Sequence, residues 1–135
     1  MKRAMFTAIT LLWAACVAAA PGDATISFTV PLSLQKLDPA VQAVGSYCEV
    51  KDGNGTVIAT AFGQVNGAIS GNAISGNAVS QAVVPMAKVM SAKSWACSLM
   101  VESTYGNCFT NAPGSNQVPW CAFDASSKTT VKGNF

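Results

Sequence analysis

Apolar and polar side chains alternate along residues 25–35. Side chains of a β-strand point alternately to its two faces, so this pattern predicts a strand with one face buried and the other in solvent. Pro31 lies on the polar face and has no backbone N–H to donate, which indicates a sheet edge or a bend at that point. The expected buried side chains are Ile26, Phe28, Val30, Leu32 and Leu34, and the expected outer ones are Thr25, Ser27, Thr29, Ser33 and Gln35.

Shorter runs of the same kind follow, separated by residues that favour turns. Strands are predicted at about residues 41–51, 56–65, 78–86, 95–102 and 129–132, and residues 85–94 are the most ambiguous stretch. Asp38-Pro39 is a turn signal, and Asp52-Gly53-Asn54-Gly55 predicts a hairpin because Gly and Asn tolerate positive φ. About six to seven short strands with such turns predict an all-β sandwich or small barrel.

The first nineteen residues have the organisation of an export signal. Lys2 and Arg3 give a positive start, residues 4–16 carry no charge, and small residues precede Pro21-Gly22. We therefore expect a removable signal helix at residues 1–19 and one mature domain at residues 20–135 that is periplasmic or secreted, with no stable membrane span. Two alternatives stay open. In the first, the apolar stretch remains in the protein as an uncleaved membrane anchor. In the second, Cys16 carries a lipid, because Trp13-Ala14-Ala15-Cys16 resembles the lipobox of bacterial lipoproteins.

Four cysteines follow this segment: Cys48, Cys97, Cys108 and Cys121. An even number behind an export signal predicts two disulfides, with three possible connectivities. The predicted strands put Cys48 on one face with Val44, Ser46 and Val50, and Cys97 on one face with Trp95, Leu99 and Val101. If both faces point inward, a Cys48–Cys97 disulfide across the core is natural, which leaves Cys108 to pair with Cys121.

Two aromatic residues stand at informative positions relative to these cysteines. Trp95 is two positions before Cys97, and Phe62 is fourteen positions after Cys48. This arrangement resembles that of immunoglobulin-like domains, which have an aromatic residue two positions before their second cysteine and pack a tryptophan on the disulfide. The resemblance spans about residues 26–102 and implies an immunoglobulin-like β-sandwich, with Phe62 near the place of that tryptophan. It implies no activity, because this fold hosts many functions. The overall pattern also resembles that of small exported bacterial proteins.

The balance of charge argues against several classes of function. Of 8 Lys and Arg residues, Lys2 and Arg3 belong to the predicted signal, which leaves six lysines against 6 acidic residues and no histidine. A neutral domain lacks the basic surface that nucleic-acid binding requires, so no nucleic-acid partner is expected. Without histidine or C-x-x-C spacing, no metal or other cofactor is expected.

Residues 105–123 form a predicted loop that the Cys108–Cys121 disulfide would close. The loop presents aromatic side chains among small polar residues, and rigid aromatic anchors dominate the energetics of many interfaces. Tyr105, Phe109 and Trp120 are therefore the candidate recognition residues. The alternative is a small satellite core that covers one end of the sandwich.

Residues 66–80 contain a tandem five-residue repeat, Asn-Gly-Ala-Ile-Ser followed by Gly-Asn-Ala-Ile-Ser and Gly-Asn-Ala-Val-Ser. Uncharged segments rich in Gly, Asn and Ser with β-branched residues can pair edge to edge, so self-association through residues 66–80 is one hypothesis. The alternative is a flexible or loosely paired connection that its Ile and Val side chains partly anchor.

These observations favour an exported, non-enzymatic binding or structural module with a protein or surface ligand of unknown identity. The first alternative is a surface or appendage subunit that assembles with copies of itself. The second is a small hydrolase with paired carboxylates as acid and base. Its candidate residues are Asp38, Glu49, Asp52, Glu102 and Asp124.

Overall fold

The computed structural model describes residues 22–109, 121, 123–125 and 130–135, and within these residues almost all regular structure is β. The all-β prediction is confirmed, and the strands form two antiparallel sheets around a shared core. The elements are β1 (Ala24–Gln35), β2 (Val41–Asp52), β3 (Val57–Gln64), β4 (Ile74–Val84), the helical turn α1 (Met86–Val89), β5 (Ala92–Ser103), β6 (Gly106–Phe109), β7 (Asp124–Ala125) and β8 (Thr130–Asn134).

The alternation at the start of the chain forms β1, with the predicted faces. Its predicted inner side chains, from Ile26 to Leu34, are all buried. β1 pairs with β4 along nearly its whole length, but with β7 only at Leu34 and Gln35. At Pro31, β1 therefore has a strand partner on one side only among the described residues, as expected for a proline near a sheet edge.

The second sheet has the order β3-β2-β5-β6, and β8 also pairs with β5. β8 lies opposite Ser94–Ser98 of β5, and β6 lies opposite Met100–Ser103 on the same edge. Two short strands thus share one long edge of β5. The hairpin between β2 and β3 is the predicted one: Asp52 accepts hydrogen bonds from the amides of Asn54 and Thr56 through its side chain, each at 2.9 Å.

Two glycines lie at the corner where the two sheets approach each other. A Cβ at Gly63 of β3 would collide with the carbonyl group of Val79 on β4, and a Cβ at Gly45 of β2 would collide with the carbonyl oxygen of Gly63. An isolated bridge between Val65 and Ala78 continues this contact. The absence of side chains at Gly45 and Gly63 therefore lets three strands approach closely where one sheet passes into the other.

The tandem repeat forms a tight hairpin and the start of a strand. Gly71 and Asn72 both have positive φ, 57° and 58°, and the amide and carbonyl groups of Ser70 and Ala73 pair across them. Positive φ at both central residues defines a type I′ turn. β4 consequently begins at Ile74, four residues before the predicted strand, and Ile74 is buried.

Both predicted disulfides are present, Cys48–Cys97 and Cys108–Cys121. The expectation that Cys48–Cys97 crosses the core between sheets is wrong. Cys48 and Cys97 are register partners on β2 and β5, neighbouring strands of one sheet, with Cα atoms 3.9 Å apart. Both side chains do face the core, so the predicted faces are right, and the disulfide lies along the inner surface of that sheet.

Phe62 does not pack on this disulfide as the resemblance implied. It is the register partner of Tyr47 and is 44% exposed, because Ala61 and Gly63 are the β3 residues that face inward. The core aromatic contact is instead between Phe28 of β1 and Trp95 of β5, with ring centroids 5.6 Å apart. This contact joins the two sheets.

The predicted signal helix, Cys16 and the cleavage region lie outside the described residues. Within the described ranges, the only α-helix is the single turn α1, and no helix there has the length and apolar character of a membrane span.

Candidate binding surface

The outer face of the five-stranded sheet carries aromatic side chains on neighbouring strands. Phe62 of β3 lies opposite Tyr47 of β2, and Tyr47 lies opposite Ser98 of β5. Directly opposed residues of antiparallel strands project from the same face, with Cβ atoms about 5 Å apart. Tyr47 and Phe62 therefore stand side by side on the outer face of the sheet.

Phe109 of β6 joins this group from the other side of β5. Its ring meets the ring of Tyr47 edge to face, with centroids 5.6 Å apart. The two rings meet over β5, the strand between β2 and β6, and the β5 side chains Ser98 and Met100 are buried although they belong to the outer face. We refer to Tyr47, Phe62 and Phe109 as the aromatic face.

Polar side chains border the aromatic face. Gln64 follows Phe62 by two residues and projects from the same face of β3. Its Nε2 donates a hydrogen bond to Oε2 of Glu102 on β5 at 3.3 Å. This bond passes over β2 beside Gly45, the register partner of both Gln64 and Met100, where no side chain intervenes.

The acidic and basic side chains in the described part of this outer face are equal in number. Glu49 forms an ion pair with Lys51 at 2.9 Å on β2, and both are partly exposed. Lys132 of β8 lies opposite Ala96, which lies opposite Glu49. With Glu102, the described part of this face carries two acidic and two basic side chains, so it presents no net charge to a ligand.

The Cys48–Cys97 disulfide lies directly behind the aromatic face. Tyr47 and Ser98 are register partners, and the next pair along the same two strands is Cys48 and Cys97. Because adjacent residues of a strand point to opposite faces, the disulfide is on the core side of the residues that hold Tyr47. The covalent bond fixes the register of β2 against β5 and with it the position of the aromatic side chains.

The sequence identified one residue of this surface, Phe109. Tyr105 is 73% exposed in the turn between β5 and β6, four strand residues from Phe109, which corresponds to about 13 Å. Trp120 lies outside the described residues. Tyr47 and Phe62 were missed as recognition residues because only the pairing of β3, β2 and β5 brings them beside Phe109.

The carboxylates considered for a hydrolase make separate local contacts. Asp38 accepts a hydrogen bond from the amide of Ala40, and Asp52 accepts one from the amide of Asn54 in the β2–β3 turn. Glu49 forms an ion pair with Lys51, and Glu102 accepts a hydrogen bond from Gln64. The side chain of Asp124 is outside the described part of the chain. Among the described residues, no group of three or more His, Cys, Asp and Glu side chains is placed to hold a metal ion.

Two shallow grooves lie beside the repeat hairpin. One, of about 510 Å³, is lined by Gln35, Lys36, Leu37, Gly71, Asn72 and Ala73, and the other, of about 260 Å³, shares Gln35 and Ala73 with it. The amide of Leu37 donates to the carbonyl of Asn72 at 2.9 Å, which docks the hairpin against the end of β1. The hairpin therefore caps one end of the first sheet.

The chain was compared with protein-family models, curated proteins and solved structures. None of the three comparisons finds a match for this sequence or this fold.

Proposed function

We propose that this chain is an exported, non-enzymatic binding module whose ligand contacts the aromatic face. The observation that carries the proposal is the exposure of Phe62, 44%, next to the half-buried ring pair of Tyr47 and Phe109. A phenylalanine on the solvent side of a sheet contributes little to the core, whereas aromatic side chains are enriched in binding surfaces. The sheet that carries it is held in register by a disulfide.

The periplasm or the extracellular space is the proposed location. Two disulfides support it, because disulfides persist in oxidising compartments. The charge pattern of residues 1–19 supports it independently.

The immunoglobulin-like architecture is also a proposal, and strand order supports it. In immunoglobulin domains strands B and E are neighbours in one sheet, and the other sheet has the order C′-C-F-G. The neighbours β1 and β4, and the order β3-β2-β5-β6, correspond to this arrangement when β1 is taken as strand B. The Cys48–Cys97 disulfide departs from the immunoglobulin arrangement, because it joins the strands equivalent to C and F.

Co-sedimentation with cell-envelope material of the native host tests the binding proposal. We expect the purified mature protein to sediment with the envelope fraction and the Phe62→Ala variant to remain in solution. Val79→Ala is the matched control, because Val79 is 53% exposed on the outer face of the other sheet. The proposal would be contradicted if the parent protein did not sediment with the envelope fraction, or if Phe62→Ala and Val79→Ala reduced its sedimentation equally.

Self-assembly is a second candidate function, favoured by the outer face of the first sheet. Val79 and Val83 of β4 are 53% and 44% exposed, and they lie opposite Thr29 and Thr25 of β1. Residues 66–80, the segment proposed for self-association, include Val79. We would expect sedimentation velocity to show concentration-dependent oligomers that Val79→Lys abolishes and Phe62→Lys does not. A monomer at all concentrations would exclude this candidate.

A further inference from the structure

We propose that the ligand of the aromatic face is a neutral polysaccharide, an inference that rests on the proposed binding function and names its ligand class. Three features of the aromatic face favour this ligand: the chemistry of the side chains that surround Phe62, the charge of the face, and the apolar area available for contact.

The first feature is the combination of an aromatic ring with neighbouring polar groups. A sugar ring presents C–H groups on its faces and hydroxyl groups around its edge, so a site for it needs an apolar flat surface next to hydrogen-bonding groups. Phe62 provides the ring. Gln64 projects from the same face of β3 two residues later, about 7 Å along the strand, and is exposed.

Gln64 and Glu102 together supply both donors and acceptors. Their mutual hydrogen bond uses one amide N–H and one carboxylate oxygen. The amide carbonyl, the second amide N–H and the second carboxylate oxygen have further hydrogen-bonding capacity. Adjacent hydroxyl groups of a sugar are both donors and acceptors, and this pair of planar groups matches them.

The second feature is the charge of the aromatic face. Glu49 and Glu102 are balanced by Lys51 and Lys132. Polyanions such as nucleic acids and anionic lipid surfaces bind through an excess of basic side chains, which the described part of this face lacks. A ligand without charge fits a face without net charge.

The third feature is the size of the apolar surface. A stable protein interface of ordinary size buries about 800 Å² on each partner, around a desolvated apolar centre. Among the described residues of this face, Met100 is buried and Tyr47 and Phe109 are partly buried, so Phe62 is the aromatic side chain with the most exposed area. One exposed ring with a polar border, in the part of the face that the structure describes, suits a sugar chain better than a second copy of this protein.

Native affinity electrophoresis of the disulfide-intact mature protein tests this inference. The gels would contain galactomannan, hydroxyethylcellulose or neutral arabinoxylan, and sedimentation with insoluble cellulose and chitin would extend the set. We expect at least one of these polymers to bind the protein, Phe62→Ala to weaken the binding at least tenfold, and Gln64→Ala to weaken it severalfold. Val79→Ala should bind as the parent does. Circular dichroism before and after heating identifies any variant that has not folded.

Failure to bind any neutral polymer would overturn the inference, and so would binding that both Phe62→Ala and Gln64→Ala leave intact. Binding to heparin or to phosphatidylglycerol vesicles that depends on Phe62, in place of the neutral polymers, would also overturn it. The proposed binding function has a separate outcome: envelope sedimentation that depends on Phe62, with no neutral polymer bound, would retain that function and reject the polysaccharide.

Discussion

Cys48 and Cys97 are opposed residues of β2 and β5, and their disulfide joins two neighbouring strands on the core side of the five-stranded sheet. Tyr47 and Ser98, the next pair along these strands, lie on the outer side. The disulfide and the aromatic face therefore depend on the same register of β2 against β5. A shift of β2 by one residue against β5 would turn Tyr47 inward and Cys48 outward, and the disulfide prevents this shift.

Removal of the Cys48–Cys97 disulfide should destabilise the domain strongly. The bond closes a loop between residues 49 apart in sequence, which the chain-entropy model values at about 4 kcal/mol. We expect the Cys48→Ala, Cys97→Ala double variant to unfold at a much lower urea concentration than the parent. The Cys108–Cys121 disulfide, which joins residues 13 apart in sequence, should contribute about 3 kcal/mol. An unchanged urea midpoint after loss of Cys48–Cys97 would contradict the assigned role of this disulfide.

Gly133 of β8 should not tolerate a side chain. It lies opposite Trp95, and a Cβ at this position would come within 2.8 Å of the indole ring. We expect Gly133→Ala to shift Trp95, change its fluorescence in a Trp120→Phe background and cost about 1–3 kcal/mol. Gly53→Ala is the control, because its Cβ would lie 3.7 Å from Lys93. Equal stability of the two variants would show that β8 does not pack on Trp95.

The repeat hairpin should depend on the backbone conformation at Asn72. Its φ of 58° is costly for most residues, is tolerated by Asn and is costless for Gly. We expect Asn72→Ala to lower the free energy of unfolding by about 1 kcal/mol, measured by urea titration. Asn72→Gly should be neutral or stabilising. The type I′ assignment is wrong if alanine and glycine have the same effect.

The contact between Tyr47 and Phe109 should be measurable as a coupling energy. Edge-to-face ring pairs are worth about 0.5–1.5 kcal/mol beyond the area that they bury. A double-mutant cycle with Tyr47→Leu and Phe109→Leu should return a coupling in this range from urea unfolding. The same cycle with Tyr47 and Tyr105 is the control and should return none. No coupling between Tyr47 and Phe109 would mean that β6 does not bring Phe109 to the aromatic face.

The local structure of this chain was predictable where a pattern of period two or a turn motif exists. The alternation in β1 gave the right faces, and Asp52-Gly53-Asn54-Gly55 gave the right hairpin. Both cysteine faces were right as well. The position of the disulfide was not, because alternation tells which way a side chain points and says nothing of which strand is its neighbour.

The orientation of Phe62 also depends on which strands are neighbours, which the sequence pattern does not tell. On β3 the larger outer side chains Thr60, Phe62 and Gln64 alternate with the small inner residues Ala61 and Gly63. Size alone suggests that the phenylalanine faces the core. The close approach of β4 at Gly63 decides otherwise, because only small residues fit between these strands. Since that approach joins residues distant in sequence, the aromatic face could be found only in the folded chain.

Photo-crosslinking from two positions tests the location of the binding surface most directly. p-Benzoylphenylalanine would replace Phe62 in one variant and Val79 in another, and each mature protein would be irradiated with envelope material from the native host. We expect a crosslinked product from position 62, on the aromatic face, and none from position 79, on the outer face of the other sheet. Products from position 79 alone, or equally from both positions, would contradict the assignment of the aromatic face as the binding surface.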